Sequence, residues 1–364
     1  MSLTKEPPMP TDERSRELLH RAARTLRDVP RVREALNPEG VDALLEAHFP
    51  PKYRIPTALV GKADRASLKH ELRALLETGA RVLERLEQQG EDAPVEPTEQ
   101  TALEAVVAFF GRPALRVRNG SFGTPPVGWE VLEQHREGIE ATIESTGRIE
   151  LAGVGMLGTG FLVAEDLVMT NRHVATAFSR QRDAGWALKL GVVPQLDWLG
   201  EHERDVRAVL PIRDVVAIHP EHDLALLRLG QTPGKAPRPP LRLAAQGPDS
   251  ATSRAVYTVG YPMKDHTNTP PEVLLRYFEN VFGVKRLQPG ELLSIDPANK
   301  QLAHDCSTLG GSSGSPVVDL ETHTVIGLHF GGNREQNLAV ALWRLADDPI
   351  LTRAGLRFTD RAAR

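Results

Sequence analysis

A serine set among glycines is the strongest chemical signal in this sequence. Ser313 lies in the stretch GGSSGSP, residues 310–316, which leads into an apolar run. Glycine and other small residues allow backbone N–H groups to turn towards one point, where they can stabilise a developing oxyanion. Because a serine hydroxyl is a weak nucleophile, such chemistry also requires a base and a carboxylate that orients the base.

Two upstream stretches offer those groups. His173 follows an apolar run in VMTNRHVA, residues 168–175, and Asp223 precedes one in HDLALLRL, residues 222–229. Taken singly, each motif more often has a structural role. A loop rich in glycine and serine is usually a turn, and a histidine after an apolar run is usually a core residue whose hydrogen bonds are satisfied. An aspartate before a strand is often a cap or a turn former. All three lie at predicted strand–loop junctions, and together they favour a triad in the chain order His, Asp, Ser.

The order and the three motifs resemble the trypsin-like (chymotrypsin-fold) serine proteases, and the forms TNRHV and GSSGSP resemble the bacterial branch. An α/β-hydrolase would run Ser, Asp, His instead. The resemblance covers about residues 139–346. It implies an acyl-enzyme mechanism in which Ser313 attacks the scissile carbonyl, His173 takes and returns the proton, and Asp223 holds the histidine tautomer. It also implies an oxyanion hole from the N–H groups of Gly311 and Ser313, in which one donor contributes roughly 2.7–4 kcal/mol.

The resemblance also implies where a substrate lies. Phe330, Gly331 and Gly332 match the family's substrate-pairing edge, to which a bound peptide would add by main-chain hydrogen bonds. The digestive enzymes carry an aspartate before the nucleophile that pairs with a freshly cut N-terminus, and here that position is Ser312. Activation by insertion of a new N-terminus is therefore not expected.

The expected side-chain preference is acidic. Trypsin selects basic side chains through an aspartate six residues before the nucleophile, but that position here is Ser307. The stretch VIGLHFGG, residues 325–332, instead resembles the glutamyl endopeptidases, in which the residues matching His329 and Thr308 grip the substrate carboxylate. Those secreted enzymes also place a free α-amino group near the pocket, which a protease domain starting mid-chain lacks. The alternative is that His329 is a buried strand histidine bonded within its own domain.

The composition indicates a globular chain without disulfides. The 364 residues are 40% hydrophobic and 25% charged, and the net charge of −4 implies no general attraction to nucleic acid or anionic membranes. Cys306 is the one cysteine, so no intrachain disulfide can form. Residues 1–16 contain no apolar signal-peptide core, and no stretch approaches eighteen apolar residues. We therefore expect a cytoplasmic protein without membrane contact.

No metal or cofactor is expected. GVGMLG, residues 153–158, matches the dinucleotide-binding pattern GxGxxG, but a strand pattern follows it where that site requires a helix. HPEHD, residues 219–223, clusters metal-ligating residue types. Pro220 breaks the helix that would bring both histidines to one face, and Asp223 has a better use in the triad.

Helical periodicity marks residues 1–90. A first helix is expected to end before Pro30, a second to open at Pro38 and a third to follow an N-cap at Asp64. Their stripes are Leu18, Ala22, Leu26 and Val29; Val41, Leu44, Leu45 and His48; and Leu68, Leu72, Leu75, Leu76, Val82 and Leu86. We expect a small helical bundle that could bind a protein partner for recruitment or regulation.

Residues 91–138 are expected to connect this bundle to the rest of the chain. Segment 88–100 is rich in proline and acidic residues, which is typical of a linker. Asn119-Gly120 predicts a hairpin over residues 114–122, and residues 129–137 suggest a short helix.

A strand pattern begins near Ile149 and identifies residues 139–364 as mainly β. The predicted strands are 160–163, 167–170, 188–193, 206–209, 215–218, 224–229, 241–243, 255–259, 280–284, 292–295, 317–318, 325–330 and 339–342. Many short strands predict a barrel or sandwich. The resemblance implies a double six-stranded antiparallel barrel. From the sequence we also expect a helix at 343–351 and a loose, basic tail at 352–364. The fold class is therefore multidomain α+β.

The sequence favours a serine endopeptidase acting on protein or peptide substrates. The competing interpretation is a catalytically silent protease fold used as a binding module. A further one is a signalling adaptor in a bacterial defence pathway, with the helical part as its active element. An intact triad and oxyanion loop favour the enzyme, because binding alone requires neither.

Overall fold

The structure is a computed structural model that describes residues 29–42, 65–89, 93–106, 113–126, 128–182, 185–230, 238–248, 251, 254–264, 281–332 and 336–359. The chain divides into two compact units. One comprises Met1–Pro113, Pro126–Val131 and Pro270–Glu279, and the other comprises the remaining residues. Within the described residues, no helix combines the length and the apolar content needed to cross a membrane.

The first unit is helical in its described part. Its helices are α1 Val29–Ala35, α2 Arg65–Gln89 and α3 Pro97–Val106. Its core includes the buried residues Leu76, Val82, Leu83, Ala102, Leu103 and Val106. A Cβ atom at Gly79 would fall 2.5 Å from Val106 Cγ2 and 2.8 Å from the Ala102 carbonyl oxygen. The glycine at position 79 therefore allows α3 to approach α2 closely.

Pro30 lies in the first turn of α1, where proline is well tolerated because no intrahelical N–H bond is lost. Almost all of the helix that was expected to end before Pro30 falls within residues 1–28, outside the described residues. One prediction in this unit was wrong. Segment 88–100 is not simply a linker, since α2 continues through Gln89 and α3 begins at Pro97. Arg85 joins these helices through two hydrogen bonds to Glu99, at 2.6 and 3.0 Å.

A further prediction for the N-terminal part is confirmed, and the others concern residues that the structure does not describe. Residues 38–42 are helical, and Asn37 Oδ1 accepts the Gly40 N–H at 2.7 Å, so the second helix opens at Pro38 as predicted. Residues 1–28 and 43–64 lie outside the described residues. They include most of the first stripe, most of the second and the proposed cap at Asp64. The domain boundaries at 90 and 138 stay a prediction.

A hairpin and two short helices come next along the chain. They are β1 Leu115–Arg118, β2 Ser121–Phe122, α4 Val131–Gln134 and α5 Arg136–Glu144. The predicted hairpin is confirmed: Asn119 and Gly120 have φ angles of 52° and 78°, the left-handed conformation that its two-residue turn requires. Thus part of the expected connecting segment consists of regular elements.

Six antiparallel strands close the first barrel in the order β10-β5-β4-β3-β8-β9. They are β3 Thr146–Leu151, β4 Gly155–Ala164, β5 Leu167–Thr170, β8 Pro194–Asp197, β9 Val209–Ile218 and β10 Ala225–Leu229. Helix α6 Arg172–Phe178 and hairpin strands β6 Ser179–Arg182 and β7 Gly185–Leu188 lie between β5 and β8. The core includes Ile149, Leu162, Val168, Leu196 and Leu227.

The second barrel is a ring in the order β12-β15-β16-β17-β14-β13, closed by antiparallel pairing of β13 with β12. Its strands are β12 Ala255–Gly260, β13 Arg286–Asp296, β14 Gln301–His304, β15 Pro316–Asp319, β16 Val325–Gly332 and β17 Asn337–Ala341. Strand β11 Leu243–Ala244 pairs with β16, and β1 pairs with β13 outside the ring. The double six-stranded barrel and the α+β class are thus confirmed.

Strand boundaries differ from prediction where proline and glycine occur. Residues 281–284 are not a strand, and β13 instead runs through Pro289 and Gly290. A Cβ atom at Gly290 would fall 2.6 Å from Asp305 Oδ1, so this glycine marks a close approach inside the sheet. Residues 189–193 and 206–208 are likewise outside strands.

The C-terminal part is more regular than predicted. A 3-10 helix, Leu342–Leu345, and helix α7 Pro349–Arg353 replace the single predicted helix. Strand β18 Phe358–Thr359 pairs in parallel with β11, so the segment expected to be loose contributes to the sheet.

Lys285 connects the two barrels from a fully buried position. Its ammonium donates to the carbonyl oxygens of Ile143 at 2.7 Å and Trp198 at 2.6 Å, and its backbone N–H donates to Gly200 at 2.9 Å. Burial lowers the pKa of Lys285 to about 7. The ammonium is therefore held by carbonyl groups at an electrostatic cost.

We expect this lysine to make stability rise with pH. Between its folded pKa of about 7 and its ordinary value of 10.5, the unfolded chain binds more protons at Lys285 than the folded chain does. From pH 7 to 10, the free energy of unfolding of the native chain should therefore grow relative to that of Lys285→Met, on the order of a few kcal/mol. Urea unfolding of both proteins measures this difference. A difference that stays constant over the range would contradict the expectation.

Candidate active site

Strand β4 brings the two halves of the site together. A Cβ atom at Gly158 would fall 2.8 Å from Val174 Cγ2 and 3.0 Å from the Ser313 carbonyl oxygen. The N–H of Thr159 donates to that same Ser313 oxygen at 2.8 Å, and its hydroxyl donates to the Gly311 carbonyl at 2.9 Å. One strand of the first barrel thus contacts both the residue after His173 and the loop that carries Ser313. The last glycine of the GxGxxG pattern is explained by this contact.

His173 and Asp223 form a hydrogen-bonded pair. His173 lies in the first turn of α6, with its Nδ1 2.7 Å from Asp223 Oδ2 and its backbone N–H donating to Asp223 Oδ1 at 3.0 Å. Burial raises the pKa of Asp223, but hydrogen bonds from His173 outweigh it and hold the pKa below its usual range. Because an ionised carboxylate only accepts, the proton of neutral His173 lies on Nδ1, and Nε2 is left to act as a base.

The serine loop presents two backbone donors that the protein does not use. Gly311 has a φ angle of 85°, which favours glycine. The N–H groups of Ser312 and Gly314 donate to protein carbonyls at 3.0 and 2.9 Å. Those of Gly311 and Ser313 have no acceptor among the described residues. Two such free donors beside a serine are what an oxyanion hole requires.

The Ser313 hydroxyl makes one long contact, to the Phe330 carbonyl oxygen at 3.5 Å. In the described part of the chain it has no hydrogen bond to His173. Such bonds are often long or misaligned before substrate binds. The neighbouring hydroxyls of Ser312 and Ser315 are fully buried and have no hydrogen-bond partner among the described residues. Of the three serines, Ser313 is therefore the one that a substrate could reach.

His329 is a buried residue of β16. Its side chain is bonded within its own domain, as the structural alternative predicted, because its Nδ1 lies 3.2 Å from Nε2 of the fully buried His304. Burial, with a smaller effect of nearby His173, lowers the pKa of His329 to about 4, so the ring is neutral at neutral pH. Its Nε2 has no partner among the residues that the structure describes.

The Thr308 hydroxyl is hydrogen-bonded within the protein. Its hydroxyl donates to Asn337 Oδ1 at 2.6 Å, and Asn337 Nδ2 donates to the Cys306 carbonyl oxygen at 2.7 Å. The second bond fixes the orientation of the amide. The Thr308 hydroxyl would therefore have to turn away from Asn337 before it could donate to a carboxylate.

The end of β16 presents an open edge. On one side, Gly331 and Gly332 pair with β17. On the other side, pairing with β15 ends at Leu328, and no described strand pairs with residues 330–332. Phe330, Gly331 and Gly332 therefore provide an edge close to Ser313 that an extended peptide could join.

Several residues that hold the site together carried no functional signal in the sequence. Asn171 belongs to the TNRHV motif, and its Nδ2 donates to the Asp223 carbonyl oxygen at 2.8 Å. His219 was considered only as a metal ligand, and His304 and Asn337 not at all. Each acts through a partner far away in the sequence, so no local pattern reveals its role.

Comparisons with known proteins find similar sequences and structures for the part of the chain that contains the two barrels. A family profile described as trypsin-like peptidase domain matches residues 158–328. A protein of Lysobacter enzymogenes named "Probable serine protease" is 28% identical over 308 residues, which are 73% of this chain and 79% of that protein. The glutamyl endopeptidase of Staphylococcus epidermidis is 26% identical over 190 residues, which are 50% of this chain and 57% of that protein. The solved active form of the Rv3671c protease of M. tuberculosis covers 60% of this chain and 85% of its own, with 22% identity and a TM-score of 0.38.

The span that the family profile matches includes His173, Asp223 and Ser313, and it runs through both barrels. The sequence relatives agree with this match. Residues 158–328 are therefore similar in sequence to a trypsin-like peptidase domain, and the named sequence relatives of the chain are serine proteases.

Proposed function

We propose that this protease is an endopeptidase that uses His173, Asp223 and Ser313 as its catalytic triad and prefers acidic residues on the acyl side of the cut. The observation that carries the proposal is the serine loop, where Ser313 lies beside the free N–H groups of Gly311 and Ser313. A binding surface would require neither the unbonded donors nor the adjacent His–Asp pair. The helical unit contains none of these residues, and we assign it recruitment or regulation.

The reaction follows from the positions of these groups. A bond forms between Ser313 Oγ and the scissile carbonyl carbon while the hydroxyl proton moves to His173 Nε2. The carbonyl oxygen becomes an oxyanion that accepts from the Gly311 and Ser313 N–H groups. The C–N bond then breaks, His173 returns the proton to the leaving amine, and water repeats the sequence on the acyl-enzyme. Asp223 stabilises the imidazolium at each stage.

A fluorophosphonate probe tests this proposal directly. The probe phosphonylates a serine that a neighbouring base activates: a bond forms between the serine oxygen and phosphorus, and fluoride leaves. The full chain should therefore become labelled at a single site, Ser313. Folded protein that is neither labelled nor able to cleave a peptide library would favour the binding-module alternative.

The acidic preference rests on His329 and its partner His304. When His304 Nε2–H donates to His329 Nδ1, the proton of the neutral His329 lies on Nε2, which is then a donor. A neutral donor can bind a carboxylate without requiring a buried positive charge. The similarity to a glutamyl endopeptidase supports the same preference.

We expect His329→Ala to reduce cleavage after glutamate selectively. Loss of one hydrogen bond to a charged group costs about 1.5–3 kcal/mol, which corresponds to roughly a 10- to 100-fold fall in kcat/KM. Cleavage after alanine and labelling of Ser313 should change little, because His329 contacts neither reacting atom. A library profile for both proteins measures the preference. A native profile dominated by aliphatic or basic residues, unchanged in the variant, would contradict the proposal.

Thr308→Val provides a matched comparison. If the Thr308 hydroxyl stays on Asn337 when substrate binds, this variant should cleave after glutamate almost as well as the native chain. A fall equal to that of His329→Ala would show that the hydroxyl turns to the substrate.

A further inference from the structure

The carboxylate of Asp223 is held by very few groups. Both of its oxygens bond to His173, and no other described residue donates to them. His173 is itself half-exposed, with 51% of its side chain accessible, so it cannot fix the carboxylate rigidly. The position of Asp223 must therefore be determined by the backbone that carries it.

That backbone is the short loop of residues 219–224, and His219 organises it from inside. His219 is buried, and its Nδ1 lies 3.1 Å from the Glu221 nitrogen and 3.0 Å from the His222 nitrogen. Its own N–H donates to the Leu224 carbonyl oxygen at 2.9 Å, which closes the loop. Both partners of Nδ1 are N–H donors, so Nδ1 must accept and cannot carry a proton.

The tautomer of His219 is set from the other end of the peptidase domain. His219 Nε2 lies 3.3 Å from Oδ2 of Asp348, the N-cap of α7. The other oxygen of Asp348 accepts the N–H groups of Ile350 and Leu351 at 2.8 and 3.3 Å. A carboxylate at Nε2 keeps the proton there, and this leaves Nδ1 free to accept.

We propose that His219 and Asp348 are positioning residues for the triad. Asp348 holds His219 in the tautomer protonated at Nε2, and only in that tautomer does His219 hold the loop that places Asp223 against His173. This inference rests on the proposed endopeptidase function. The inference gives a role to residues 219–223, the HPEHD stretch whose composition resembled a metal site. It also connects α7 to the reacting groups.

Two substitutions of Asp348 separate this role from helix capping. In Asp348→Asn, the side-chain oxygen can still cap α7, but the amide N–H₂ then faces His219 Nε2 and drives the His219 proton to Nδ1, against the loop N–H donors. In Asp348→Ser, the cap is kept and the tautomer is not forced. In the full chain, we expect kcat to fall about 10- to 100-fold in Asp348→Asn with KM unchanged, and to fall much less in Asp348→Ser. Equal kcat values in the two variants would overturn the proposal.

Substitutions of His219 provide an independent test. Asparagine can place an acceptor near the position of Nδ1, whereas leucine cannot, so His219→Asn should recover most of the kcat that His219→Leu loses. In the His219→Asn background, Asp348→Asn should have no further effect on kcat, because no tautomer remains to be altered. Failure of the rescue, or an undiminished effect of Asp348→Asn in that background, would overturn the proposal. Loss of fluorophosphonate labelling in the native chain would instead refute the endopeptidase function.

Discussion

Replacing Ser313 with alanine should abolish peptide hydrolysis and fluorophosphonate labelling. Loss of a triad nucleophile typically lowers kcat by on the order of 10⁶-fold, because the remaining groups have no atom that can form the acyl-enzyme. Among the described residues, the Ser313 hydroxyl makes one contact, to the Phe330 carbonyl oxygen at 3.5 Å, so its removal should leave the fold intact. A peptide library measures hydrolysis, mass spectrometry of the chain measures labelling, and thermal unfolding shows whether the fold is intact.

Ser312→Ala and Ser315→Ala are the matched controls. Both hydroxyls are buried and lack a hydrogen-bond partner in the part of the chain that the structure describes, so their removal should affect neither labelling nor turnover. Hydrolysis that survives Ser313→Ala but is lost in one of these controls would show that the nucleophile had been misassigned.

Asp223→Asn should lower kcat by about 10⁴-fold at neutral pH, the size of effect associated with the wrong histidine tautomer in a serine triad. The asparagine oxygen can still accept the backbone N–H of His173, which places the amide N–H₂ against Nδ1. Nδ1 must then accept, the proton moves to Nε2, and the base is no longer available to Ser313. The change is nearly isosteric, so the free energy of unfolding should alter little by comparison.

Steady-state kinetics on a good peptide substrate, with circular dichroism as a check on folding, would measure this effect. A loss of less than tenfold in a folded variant would mean that Asp223 does not orient the base. It would leave the assignment of Ser313 unaffected, since that depends on labelling.

The sequence predicted elements well where pattern and local chemistry agree. The Asn119-Gly120 turn and strands such as β5 and β10 were found, because turn residues and short apolar runs alone specify them. β13 was misplaced because Pro289 and Gly290 are typical of a break. Only the packing of Asp305 against Gly290 shows why a strand runs through them.

The same distinction holds for the site. Ser313, His173 and Asp223 could be proposed because each lies in a local motif next to an apolar strand. The groups that hold them could not be, because their partners are fixed only by the tertiary fold: His219 meets Asp348 across 129 positions, and Thr159 meets Gly311 across 152. Thr308 illustrates the limit most clearly, since its hydroxyl was expected to face substrate and instead donates to Asn337.

The order of strands in the second barrel affects when the enzyme can become active during its synthesis. β17 lies between β16 and β14 in the ring, and it follows all three proposed catalytic residues in the chain. Because a chain emerges from the ribosome N-terminus first, the ring that supports Ser313 cannot close until residues 337–341 have been made, and Asp348 is added later still. A growing chain therefore carries His173, Asp223 and Ser313 for some time without a complete site. The strand order thus makes completion of the proposed site depend on a segment that is synthesised after all three proposed catalytic residues.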